Sequence, residues 1–188
     1  MTAADGAPAR RLRELEQGTT SAQALAFFDS LPAVAVAELT GAWRGNEVPT
    51  GHRLDGLLGA FGWRGKHVAS PEDVHPLVFE TLGSLYSINP AVVPLGVVLR
   101  FPGALRSAAA QRAFRLLRGA LRTSRPRARL RMTEHRGVLT ATMIYDTLPV
   151  HDVFRRVDAD TVLGVMDARG MHEPFVFALR RDGAGSGS

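Results

Sequence analysis

The sequence contains no cysteine in 188 residues, which excludes disulfides and thiolate metal sites and leaves no redox compartment to read. Lysine is nearly absent too: of 23 basic residues, only Lys66 is not arginine. No run approaches the roughly 18 apolar residues of a membrane-spanning helix. The first 30 residues mix charge with Ala and Leu and lack a signal-peptide core, so the expected location is cytoplasmic. The six histidines (His52, His67, His75, His135, His151 and His172) form no His-x-His or H-E-x-x-H pair, so neither a metal nor another cofactor is expected. Acidic residues almost vanish between Arg100 and Arg136, where eleven arginines face Glu134 alone, a local +10 within a chain whose net charge is +5. That asymmetry marks a solvated basic face or a surface for acidic partners.

What is present reads as a mainly β chain. Residues 1–30 form an N-terminal helical segment, with Leu12, Leu15, Leu25 and Phe28 at helical spacing, a break at Gly18-Thr19-Thr20, and Thr20 or Ser21 as the cap of the second piece. Residues 1–8 and 183–188, rich in Gly, Ala and Ser, are expected to be disordered. Val36–Val48 has strand period with Trp43 on one face, His52–Phe61 is a short helical turn, and Trp63–Val68 is a second strand. The prolines from Pro71 to Pro102 cut the next stretch short, so Leu77–Leu82 and Val97–Phe101 are expected as short strands. Ala104–Arg122 is the clearest helix. Its apolar half carries Leu105, Phe114, Leu116, Leu117 and Leu121, and its other half Arg112, Arg115, Arg118 and Arg122. Five strands follow, at Ala128–His135, Val138–Asp146, His151–Val157, Thr161–Met166 and Phe175–Arg180, joined by tight turns. Such a meander closes most easily as an antiparallel barrel. The organisation expected is a region over 31–102, a basic helix and linker over 103–127, and a meander over 128–182 that completes the same barrel.

Two motifs give this architecture a resemblance. Gly41-Ala42-Trp43-Arg44-Gly45, followed by Gly62-Trp63-Arg64-Gly65-Lys66, resembles the GXWXG domain of a bacterial and fungal family. The run from Ala128 to Gly170 resembles its associated C-terminal domain of unknown function. The likeness covers about Leu31 to Arg181 and implies no settled activity. A Gly-x-Trp signature on an opening strand is also similar to that of lipocalins, fatty-acid-binding proteins and nitrobindin-like haem proteins. This wider analogy implies a calycin-like barrel with an interior cavity, and function must still be argued from a site.

The expected function is therefore binding of a small hydrophobic molecule, lipid, polyketide or terpenoid-like, in a barrel cavity. Trp43, Trp63, Lys66, Met143 and Phe154 are the candidate ligand contacts. Trp43 reads equally as a core residue whose flanking glycines let neighbouring strands approach, and Lys66 either meets a carboxylate or phosphate or is solvated. The alternative is a cofactor-independent isomerase, cyclase or dehydratase. For it, the run around the Pro149 turn offers Tyr145, Asp146, His151 and Asp152: an imidazole oriented by a carboxylate serves as a base, and a tyrosine donates to a developing oxyanion. The arginine helix is expected as a solvated lid, with weak anionic-membrane contact through Arg112, Arg115, Arg118 and Arg122 as its other reading. It has charge without an aromatic stacking platform, so no nucleic-acid partner is expected.

Overall fold

The computed structural model describes residues 6–183. The disorder expected at the two ends therefore falls almost wholly outside the described residues, although Ala7 and Pro8 already begin a helix. That helix, α1 (Ala7–Leu15), and α2 (Ser21–Ser30) are separated by the Gly18-Thr19-Thr20 break. Thr20 accepts a bond from the Gln23 backbone N–H (3.2 Å), and the Gln23 side chain accepts one from Thr20 (3.4 Å). This reciprocal cap satisfies donors that a helix start otherwise leaves unpaired.

A short 3-10 turn at Val36–Leu39 leads into β1 (Gly41–Glu47), so the strand begins later than its alternation suggests. Then come α3 (Leu57–Ala60), β2 (Trp63–Ser70), β3 (Asp73–Thr81) and β4 (Ser84–Ile88). An inserted helical stretch follows: α4 (Leu95–Arg100), α5 (Pro102–Leu105) and α6 (Ala108–Leu121). The chain returns to the sheet through β5 (Arg122–Thr123), β6 (Ala128–His135), β7 (Val138–Tyr145), β8 (Val150–Arg156), β9 (Thr161–Ala168) and β10 (Phe175–Arg181). The expected strand over Val97–Phe101 is instead α4 and its end. Too short for periodicity to separate strand from helix, the segment is enclosed by Pro94 and Pro102, and Pro94 supplies the carbonyl that starts the helix.

Eight strands close an antiparallel barrel in the order β2-β1-β10-β9-β8-β7-β6-β3, with β3 returning to β2. One edge of β3 runs along β2. The other is shared between β6 at its start (Val74 opposite Ala128) and β4 at its end. The β3–β6 seam is thus the thinnest part of the barrel wall, and the insertion from residue 89 to 127 leaves and re-enters the sheet there.

The barrel creates two apolar layers. Inside lie Trp43, Leu130, Met143, Phe154, Val162, Phe177 and Leu179. Outside, Leu12, Leu15 and Phe28 of the N-terminal helices cover Val153, Leu163, Val165 and Val176 on the outer face of β8, β9 and β10. With both faces covered, much of β9 and β10 reads as a nearly continuous apolar run.

The GXWXG geometry explains why a tryptophan sits between glycines. Trp43 is buried, its Nε1–H donates to the Leu39 carbonyl (2.8 Å), and the Arg181 guanidinium stacks over its ring at 4.4 Å. Gly45 leaves space for the Trp63 ring from the next strand, which a Cβ would meet at 2.2 Å. Gly65 has φ +146°, and a Cβ there would lie 1.9 Å from the Trp43 carbonyl oxygen. The glycines bring β1 and β2 close enough for two indoles to share one barrel end to end.

Candidate functional site

The site is built from a strand irregularity. The pairing of β2 with β3 slips between Trp63 and Gly65, and slips again before His67. An unbroken strand would aim Trp63 and Lys66, three residues apart, to opposite faces. The bulge brings both inward, where they line one cavity. Lys66, the chain's only lysine, is 4 % exposed. The solvated alternative for it is thereby overturned.

Facing Lys66 across the barrel is Asp152 of β8, 1 % exposed, with a Lys66 Nζ to Asp152 Oδ2 distance of 2.7 Å. The Tyr145 hydroxyl at the end of β7 donates to the same oxygen (3.0 Å) and accepts from Lys66 (3.3 Å). The third donor of the ammonium goes to the Pro76 carbonyl (3.2 Å). The Phe177 ring lies 5.0 Å from Nζ, with the Tyr145 and Trp63 rings at 5.6 and 5.9 Å. The arrangement balances a buried charge in three ways: an opposite charge, hydrogen bonds to each ammonium proton, and aromatic faces. Burial pushes the Tyr145 phenol well above its ordinary pKa, reinforced by the Asp152 charge, so it stays a neutral donor.

The cavity above this cluster has a volume of about 100 Å³. Its walls are apolar: Val150, Met166, Phe175 and Phe177 from the barrel, and Leu57, Leu58, Leu95 and Val98 from α3 and α4, which cover the mouth. The half-buried Glu47 carboxylate holds the start of α3 by accepting from the Gly56 and Gly59 backbone N–H groups; desolvation raises its pKa. Two buried polar atoms of residues that line it have no hydrogen-bond partner among the described residues: Asp152 Oδ1 and the Trp63 Nε1–H. One is an acceptor and one a donor.

The candidate residues separate accordingly. Trp63, Lys66, Tyr145 and Asp152 border the cavity. Met143 and Phe154 are fully buried in the packed part of the barrel and do not border it; nor does Trp43, which borders a neighbouring cleft of about 380 Å³ together with Arg64, Lys66, His67 and His75. The expected orientation of His151 by Asp152 is not formed. Adjacent residues of a strand face opposite ways, so Asp152 lies opposite Met143 and Met166 inside, while exposed His151 lies opposite Asp167 outside. Asp146 also faces out, gripped by Arg129 at 2.8 and 3.1 Å. Sequence reasoning missed Phe177, Phe175 and the α3 and α4 leucines. For Asp152 a signal did exist, because its strand neighbours at two residues are Val150 and Phe154, both apolar. Among the described residues no cluster of three or more His, Asp or Glu is placed to hold a metal ion.

Residues 26–83 match the family described as GXWXG protein, and residues 126–181 match a domain of unknown function (DUF4334). The chain carries the two together. Trp63 and Lys66 of the cluster come from the GXWXG part, Tyr145 and Asp152 from the second domain, so the two domains share one site. No curated protein matches the sequence. A crystal structure of a protein from Thermomonospora curvata is similar over 93 % of this chain and 97 % of that one, at 29 % identity and a TM-score of 0.68.

Proposed function

We propose that this barrel, calycin-like in design, binds one small, mostly apolar molecule that carries a hydrogen-bond donor. The observation that supports it is Asp152 Oδ1, an unpartnered carboxylate oxygen on a residue 1 % exposed that borders, with Trp63, Lys66 and Tyr145, a cavity walled for the rest by Leu, Val, Met and Phe. An alcohol head would donate to Oδ1 and accept from Trp63 Nε1–H, and its hydrocarbon part would face Phe175, Met166 and Leu57. Polar groups few in number and fixed in place are what orient a ligand in an apolar pocket. The space of about 100 Å³ is smaller than the ~150 Å³ cavity that accepts benzene. Anything larger enters by displacing α4, which has no buried residue to hold it.

The convergence of Lys66, Asp152 and Tyr145 favours a second reading, proton transfer on the bound molecule. Asp152 Oδ1 would take a proton from one position and return it at another, an isomerisation without net redox change. The binding reading leads because Lys66 and Tyr145 already occupy Oδ2, and all three Lys66 donors are committed.

The test is titration with paired small alcohols and hydrocarbons of matched shape, followed by calorimetry and tryptophan fluorescence. The alcohol of each pair should bind at least tenfold more tightly, and Asp152→Asn should erase most of that preference. Quenching should persist in Trp43→Phe and vanish in Trp63→Phe. Equal affinity for alcohol and hydrocarbon, or no binding across the panel, would overturn the proposal. Recovery of a rearranged ligand would establish the second reading.

A further inference from the structure

The helical insertion does not sit as its amphipathic pattern predicts. A lid with a solvated basic side would turn its apolar half to the barrel, yet α6 has no buried residue. Only its Phe114 and Leu121 edge packs inward, Phe114 meeting Phe61 and Phe79 at ring distances of 4.9 and 5.6 Å. Leu116 is 86 % and Leu117 57 % exposed, and on the neighbouring turns Val97 and Phe101 are also exposed. At 100° per residue, Leu116, Leu117, Ala109, Ala113 and Ala120 form one open apolar sector beside Arg112 and Arg115. From Thr81 to Thr133 the chain carries no acidic residue, and no ion pair engages Arg112, Arg115 or Arg118 among the described residues.

We propose that this face docks on an anionic lipid surface. The occupant follows from charge. A second copy would set arginines against arginines across a face with no acid to offset them, whereas a lipid headgroup layer supplies the missing negative charge and admits the leucines. Nucleic acid would match the arginines and leave Leu116 and Leu117 against water. Helices with exposed apolar sectors flanked by arginine lie in the interfacial plane of bilayers, and basic residues there add to the attraction.

The location gives the surface a use. α4, which roofs the cavity with Leu95 and Val98, belongs to the same insertion. Besides the apolar packing of Leu95, Val98, Phe114 and Leu121 on the core, the insertion is tied to the segment before α3 by Arg53 donating to the Leu99 carbonyl (2.6 Å) and by Arg106 donating to the carbonyls of Arg53 and Asp55 (2.7 and 2.6 Å). Docking would thus engage the insertion whose first helix also lines the cavity. The docking proposal does not depend on the ligand reading, and its test is separate from it.

The experiment is co-sedimentation of the full chain with vesicles of phosphatidylcholine alone and of an equal mixture with phosphatidylglycerol. Binding should be confined to the anionic vesicles and should fall as salt rises, since screening shortens to about 8 Å at physiological ionic strength. Arg112→Gln/Arg115→Gln should weaken it at least tenfold, and Leu116→Ser/Leu117→Ser several-fold with the salt dependence kept. Both sets replace exposed side chains, and circular dichroism confirms folding. Vesicle binding unchanged in both variants overturns the proposal. So does a concentration-dependent dimer, abolished by Leu116→Ser/Leu117→Ser, in a protein that ignores anionic vesicles.

Discussion

Lys66→Met removes one member of the buried cluster while keeping the length of the side chain. Three losses coincide: the 2.7 Å contact with Asp152, the bond to the Pro76 carbonyl, and the aromatic faces around the ammonium. Asp152 is left as an uncompensated charge with Tyr145 as its remaining donor. Breaking one side of a buried ion pair costs about 3–5 kcal/mol. For a domain of 188 residues, at about 2–4 °C per kcal/mol, the melting temperature should fall by roughly 6–20 °C. Removing the whole cluster is a different matter, since an apolar replacement of both charges is often neutral or stabilising. Lys66→Met with Asp152→Leu should recover only part of the loss, because the Tyr145 hydroxyl then has no partner, at about 1–3 kcal/mol. Adding Tyr145→Phe should recover most of the remainder. Thermal and urea unfolding of the single, double and triple variants measures this, and the unfolding slope tests that the native state has not loosened. A single variant melting within about 2 °C of the parent, or a triple variant no more stable than the single, would refute the claim that Lys66 and Asp152 are charged and mutually dependent in the folded chain. If the ion pair survives in the protein despite being replaceable, its retention points to the ligand and not to stability.

Two further outcomes are expected. Gly45→Ala places a Cβ 2.2 Å from the Trp63 ring, so it should cost about 1–3 kcal/mol as an overpacked site and shift the near-ultraviolet spectrum of the indoles; Gly59→Ala, with nothing within 4 Å, should do neither. Stability should fall with acid below about pH 6.5, because burial lowers the folded pKa values of His52, His75 and His135. In that window the unfolded chain binds more protons, and the contribution, complete above the unfolded pKa, is lost as pH falls through the folded ones. Denaturation midpoints measured across pH should show this slope, and His135→Gln should flatten it; a flat profile in the parent would contradict it.

Much of the barrel was legible because the strands after Ala128 are short, apolar and joined by turns such as Arg136-Gly137 and Asp158-Ala159-Asp160, and the pairings fall between consecutive runs. The helix cap at Thr20 was legible for the same local reason. Val97–Phe101 was not, since β-branched residues between prolines suit either a short strand or one turn of helix, and tertiary context decided. What covers the apolar side of α6 was not legible either. Periodicity establishes that a helix has an apolar side without saying what covers it, and here the barrel had already closed on its own aromatic side chains.

The site shows where the strand rule succeeds and where it fails. Parity along β8 puts Asp152 with Val150 and Phe154 and turns His151 outward, so the separation of these two neighbours follows from sequence once the strand is granted. Lys66 does not follow. It stands an odd number of residues from Trp63, and strict alternation would send one of them to solvent. Only the slip at Gly65, a position that must be glycine because a Cβ would strike the Trp43 carbonyl, reconciles the two. The glycine that lets the indoles pack is thus also the residue that turns the chain's single lysine toward Asp152. A family motif that reads as packing from sequence is, in three dimensions, the device that aims the cation of the site.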